Sequence, residues 1–329
     1  KWIDLARGIG IILVVYAHAA RGLVLSKALP PTGWPIDIDT VIYAFHMPLF
    51  FVLAGLNIER GVARGRRDFI VNKLQTVAWP YFLWSLLHGG LKMASAGYTN
   101  NAITLSDLLW IPLVPIEQYW FLYVLFFCQL AIALILPRRW LLVVLAMAGV
   151  FVWWLVANPS AFFRTLHNLP YVVIGIFAPP FLGWIAGRAP AQWITAAGVW
   201  LAFAALILPV GPPAHQPLTI YLLALLGLLG TIAIAMMLDG ARLPMQWLEY
   251  LGRLSMPIFL MHTIFSAATR AGLKLAGFTD PIAVLALVTA AGLFLPLIAY
   301  RIAVTLNITR LLGFGAPVLR IEMATLEVG

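Results

Sequence analysis

Apolar runs of about 20 residues succeed one another along the chain, near 3–22, 39–58, 74–91, 118–136, 140–157, 169–187, 191–209, 218–238, 251–271 and 281–302. A helix of about that length crosses the hydrocarbon core of a bilayer, where only helices and closed barrels satisfy the backbone. Turn chemistry separates the runs: "PPTGWP", "LPRRW", "GRAPAQ", "VGPPAHQP" and "DGARLP". The pattern predicts an all-α, polytopic integral membrane protein of about ten transmembrane helices. Composition agrees, with 10% charged residues against roughly 25% in a soluble domain.

Charge placement sets an orientation. Alternating ten spans divides the loops into two sets. Of the 21 Lys and Arg residues, Arg21, Lys27, Lys92, Arg164, Arg270 and Lys274 fall in one set and all others in the second. The richer set is cytoplasmic by the positive-inside rule, which puts both termini in the cytoplasm. The same bias accounts for the net charge of +9 without nucleic acid as a partner. The longest connecting pieces, 59–73 inside and 91–117 outside, hold no soluble domain, so residues 1–329 read as a single membrane-embedded domain with none appended. The single cysteine, Cys128, excludes an intramolecular disulfide and argues against a Cys-based metal site. The first run carries Asp4, Arg7 and His18 and no clear cleavage site, so it is not a removable signal. "MPLFF" and "MPIFL" look alike, but their surroundings do not match. That counts against transporter folds built from repeated halves.

Ionisable groups at membrane depth read as functional by default. Arg7 and His18 are eleven residues apart. On a helix they lie within roughly 20° of one face and about 16 Å apart along the axis. Asp4 sits three residues before Arg7 and can pair with it. The structural alternatives are a snorkelling anchor for Arg7, with Asp4 as counter-ion, and a packing hydrogen bond for His18. His46 and His262 fall at a similar outer depth in their own spans, which suggests a shared cavity. The "MP" after His46 and the "SMP" before His262 add kinks. His88, His167 and His215 fall at outer span ends or loops and read as interfacial.

The stretch "ERGVARGRRDFIVNK" is a dense basic loop. It is either a topology determinant meeting anionic head groups or a phosphate-binding mouth. "EQYWFLYVLFF" opens the fourth span. Tyr119, Trp120 and Tyr123 fit an interfacial aromatic belt. Glu117, an acid among rings, is a candidate for binding a sugar or orienting a histidine. No phosphate loop, zinc-binding His-Glu spacing or nucleophile elbow is present.

Three blocks resemble those of the acyltransferase 3 family of integral membrane acyltransferases. They are "WIDLARGIGIILVVYAH", in which Arg7 precedes His18 by the family's spacing, "FHMPLFFVLAG" and "YLGRLSMPIFLMH". "EQYWFLYVL" and "PYFLWSLLH" agree more weakly. The resemblance implies a multi-pass protein of a bacterial inner membrane. It also implies transfer of an acyl group, usually acetyl, from cytoplasmic acyl-CoA to a hydroxyl of a sugar or lipid-linked glycan. Where family members often carry "SG", this chain has "LAG", so Ala54 offers no hydroxyl.

The expected site follows. Arg7 with some of Arg60, Arg64, Arg66, Arg67 and Lys73 pairs with the phosphates of acyl-CoA, and the pantetheine arm reaches His18. His18 acts as base or as acyl carrier. His262 or His46 supports the oxyanion or orients the acceptor. Glu117, Tyr119 and Trp120 bind the acceptor, and no metal is required. The rival readings are a small hydrophobic acceptor, a secondary transporter or flippase, and a non-catalytic membrane scaffold.

Overall fold

The computed structural model describes residues 1–95, 103–155, 160–186, 188–210, 217–241 and 245–316, and all regular structure among them is helical. His215, Arg242 and Arg320 lie outside the described residues. The helices of the first half are α1 (Trp2–Leu25), α2 (Trp34–Tyr43), α3 (His46–Gly55), α4 (Ile58–Arg64), α5 (Arg66–Lys73), α6 (Trp79–Ala94), α7 (Leu105–Leu109) and α8 (Trp120–Ile135). Those of the second are α9 (Arg139–Leu155), α10 (Ala161–Phe177), α11 (Pro179–Ala186), α12 (Ala189–Val210), α13 (Pro217–Gly240), α14 (Gln246–Arg253), α15 (Ser255–Leu275) and α16 (Pro281–Thr305).

Five stretches are long and apolar enough to cross a bilayer: Trp2–Leu25, Trp34–Arg64, Glu117–Ile135, Thr219–Gly240 and Pro281–Thr305. The pair α10 and α11, bent by 55°, makes a sixth if it is one span. Helices also occupy the other expected runs. A π-helical turn at Leu74–Ala78 leads into α6; α9 has 17 residues; α12 covers the seventh run. The apolar character of α15 is interrupted by His262, Arg270 and Lys274.

α1 is the axis of the molecule. It packs on α2, α3, α13, α14, α15 and α16, and Leu5, Ile11, Val14, Val15 and Leu23 on it are almost wholly buried. Its first turn carries Asp4, which suits the positive end of the helix dipole. The Trp2 N–H, one of the orphan donors of that turn, donates to the Asp239 carboxylate on α13 at 3.1 Å. Two glycines let α14 approach closely. A Cβ on Gly252 would stand 1.8 Å from the Asp4 carbonyl oxygen, and one on Gly8 would stand 2.2 Å from that of Leu248. α3 and α10 meet in the same manner, through Gly55 against the Val172 carbonyl and Gly175 against that of Val52.

Proline decides where two of the histidine-bearing helices begin. Pro48 has no N–H for the Ala44 carbonyl, and its ring crowds that carbonyl, so the helix cannot run on. The chain breaks at Ala44–Phe45 and restarts at His46. Pro257 acts likewise on the Arg253 carbonyl, and Leu254 forms the joint between α14 and α15. The C-terminal end of α15 is tied back to α1 where the Arg270 guanidinium donates to the Gly22 carbonyl at 2.9 Å.

Candidate active site

His18, on α1, and His46, at the start of α3, line one cavity of about 570 Å³. In each ring Nδ1 faces a backbone carbonyl one turn earlier, Val14 at 2.9 Å and Ile42 at 2.8 Å. A carbonyl only accepts, so Nδ1 carries the proton and Nε2 presents its lone pair. His262 is held in the same tautomer, with Nδ1 donating to the carbonyls of Phe259 at 2.8 Å and Ile258 at 3.2 Å. It is fully buried, and its Nε2 has no hydrogen-bond partner. The His262 ring meets that of His18 edge to face, with centroids 5.0 Å apart and planes at 75°. Neutral rings in these tautomers accept through Nε2 and do not donate. That bears on the oxyanion role expected for His46 and His262, which would need one of them protonated. Among the described residues no three His, Cys, Asp or Glu side chains converge to hold a metal ion.

The cavity wall includes five aromatic rings besides the histidines, those of Tyr43, Trp120, Trp153, Tyr171 and Phe259. Polar groups are set between the rings. Gln118 donates from Nε2 to the Thr263 hydroxyl at 2.7 Å. Gln118 and Tyr171 each keep a buried oxygen without a partner. The Trp153 ring lies 4.2 Å from that of His167, and Asn168 donates to the Arg164 carbonyl at 2.8 Å. Two cations also line the space, Arg21 and Arg164.

Of the three expected acceptor-binding residues, Trp120 is in this wall. Glu117 is ion-paired with Lys92 at 2.5 Å. Tyr119 is completely buried, and its hydroxyl donates to the Leu260 carbonyl at 2.9 Å, which fixes the entry to α8 two residues from His262. Of the two described histidines expected at the interface, His88 is buried and His167 is half-buried. His88 is 6% exposed and packs on Tyr119; His167 lines the cavity.

At the other end of α1 the expected Asp4–Arg7 pair is present at 3.4 Å, and Asp4 also meets Arg253 at 3.7 Å. Lys73 ends α5 close to Arg7; burial first, and the Arg7 charge second, push its ammonium below the ordinary range. Two cations that repel one another in this way suit an anionic ligand. Arg60, Arg64 and Arg67 are exposed on α4 and α5. Arg66 donates to the Leu136 carbonyl at 2.5 Å, and Glu59 accepts both arms of Arg139. The shared face between Arg7 and His18 is filled: Ile11 and Val14, which lie on it, have no exposed surface.

The sequence model of a family described as an acyltransferase domain matches residues 1–301. The chain belongs to the acyltransferase 3 family. No curated protein and no solved structure matches it. Within this acyltransferase, the cavity residues that sequence reasoning missed are Arg21, Gln118, Trp153, Arg164, Asn168 and Tyr171. Arg21 and Arg164 were countable from sequence only as outer-loop charges. Their position in a cavity wall depends on how α2, α3 and α13 pack on α1 and how α10 packs on α3. Gln118 stood inside a motif already singled out, between Glu117 and Tyr119, and a buried amide was the available signal.

Proposed function

We propose that this membrane acyltransferase moves an acyl group, acetyl being the expected one, from acyl-CoA to a hydroxyl of a sugar or glycan, with His18 as the base. The observation that carries the reading is the His18 ring. Its Nδ1 proton is committed to Val14, and it lines a cavity large enough for a sugar ring. Neutral His18 accepts the acceptor's proton at Nε2 as the hydroxyl oxygen attacks the thioester carbonyl carbon. The tetrahedral intermediate collapses, the C–S bond breaks, and the thiolate leaves with the proton returned by His18. His262 Nε2, beside His18 and without a partner, is an acceptor that stabilises the transient imidazolium. The same lone pair on His18 also serves the covalent route, in which His18 takes the acyl group and hands it on.

Arg7 and Lys73 bind the donor's phosphates, with Arg60, Arg64 and Arg67 contributing charge. Because Ile11 and Val14 fill the face between Arg7 and His18, the pantetheine arm must part α1 from its neighbours to reach the imidazole. Donor binding and opening are thus one event in this reading. The chain crosses a bacterial inner membrane ten times with both termini cytoplasmic, so donor and acceptor approach from opposite sides. The aromatic wall also favours a second reading, acylation of a small hydrophobic acceptor.

The test uses protein purified into lipid nanodiscs, supplied with acetyl-CoA and separately with glycan and hydrophobic hydroxyl acceptors, with mass analysis of products. Arg7→Gln is expected to raise KM for acetyl-CoA about 10- to 100-fold, the loss of one or more charge-assisted bonds, with a smaller change in kcat. An unchanged KM would mean that Arg7 only anchors the helix.

A further inference from the structure

The cavity around His18 carries a charge with no counter-charge. Arg164, on α10, lines it and rests over the Trp120 ring, its guanidinium carbon 5.7 Å from the ring centre. No carboxylate among the described residues pairs with it. The acids on neighbouring elements are committed: Asp39 to Arg21 at 2.8 Å and Glu117 to Lys92 at 2.5 Å. Asp37 lines a different, apolar groove with Ile9 and Leu13. Of the histidines in the wall, His18 and His46 hold their Nδ1 protons on backbone carbonyls, and His167 meets the Tyr221 hydroxyl through Nδ1 at 3.0 Å, so none of them brings a negative charge. Arg21 uses its Nε for Asp39 and lies 3.9 Å over the Tyr43 ring, so its terminal nitrogens remain without a partner among the described residues. Half-buried guanidinium groups with free N–H donors beside aromatic rings are placed to receive a ligand that brings an anion.

We propose that the acyl acceptor carries an anionic group, a carboxylate or a phosphate, held by Arg164 with Arg21, while its hydroxyl meets His18. This rests on the reading of the cavity as the acceptor site. The guanidinium fork matches two oxygens of either anion. The Trp120 and Trp153 rings beside it present flat apolar faces to a sugar. The two anions have different sources: a uronic acid brings a carboxylate, and a lipid-linked or nucleotide-derived sugar brings a phosphate.

Binding is the direct test, because it needs no turnover. The protein in phosphatidylcholine nanodiscs is titrated with p-nitrophenyl glucuronide, glucose 1-phosphate and p-nitrophenyl glucoside. At least one anionic sugar is expected to bind about 10- to 100-fold more tightly than the neutral glucoside, and which one binds identifies the source. Arg164→Gln should abolish the difference, and Arg164→Lys should keep part of it. Equal binding of all three sugars, no binding of either anion, or a preference that survives Arg164→Gln overturns the proposal. So does a variant that changes only the retention of phosphatidylglycerol, which would make Arg164 a head-group anchor. His18→Ala should keep the anion preference. Failure of the catalytic reading is therefore visible separately, as transfer activity that persists in His18→Ala.

Discussion

At the scale of single residues, His18, His46 and His262 share one device. Each gives its Nδ1 proton to a carbonyl of its own helix, Val14, Ile42, or the pair Ile258 and Phe259, and each leaves Nε2 as an acceptor. Sequence spacing singled out the three residues, of which His18 and His46 line one cavity and His262 meets the His18 ring, and it put Arg7 on the face of His18. It could not show which side chains around them are occupied by other work. Tyr119 is the clearest case. Its hydroxyl holds Leu260 and lies in no wall of the cavity. Tyr119→Phe is expected to lower stability by about 0.5–1.5 kcal/mol, the loss of one buried hydrogen bond to a carbonyl inside α15, with little change in KM for the acceptor. Thermal unfolding in detergent and steady-state kinetics check the two halves. A raised KM at unchanged stability would return Tyr119 to acceptor binding.

At the scale of elements, the periodic apolar runs located the helices well, because length and apolar content are local properties. α1 and α16 closely follow the first and tenth expected runs. The runs could not show which helices bend. The second expected span, 39–58, is divided by the break at Ala44–Phe45 and by the start of α4, and Pro48 was its only local mark. Nor could sequence alone show that Gly8 and Gly252 bring α1 and α14 into contact, since that closeness joins residues far apart in the chain. Gly252→Ala would drive a methyl against the Asp4 carbonyl and should cost at least about 1–3 kcal/mol. Gly90→Ala in α6, where a Cβ meets nothing within 4 Å, should be neutral or stabilise by up to about 1 kcal/mol. Equal melting shifts for the two would contradict the close crossing.

At the scale of the whole molecule, α1 links two chemistries. Its first turns carry Arg7, which meets Lys73 and, through Asp4, Arg253 from other helices, and its later turns carry His18 in the wall of the cavity. Ten crossings with cytoplasmic termini would put those two ends on opposite sides of the membrane. In a Cys128→Ser background, Arg64→Cys should react with a membrane-impermeant maleimide only when the cytoplasmic side is open, and Ser106→Cys only from outside. The reverse pattern, or labelling of both from one side, would refute the topology. His18 is the residue on which acyl transfer depends in the proposed mechanism. His18→Gln keeps an amide able to bond Val14 but removes the base. With purified protein, labelled acetyl-CoA and a competent acceptor, kcat should fall about 10²- to 10⁴-fold while acetyl-CoA still binds. A folded His18→Gln protein that transfers acetyl at the parent rate would contradict the mechanism.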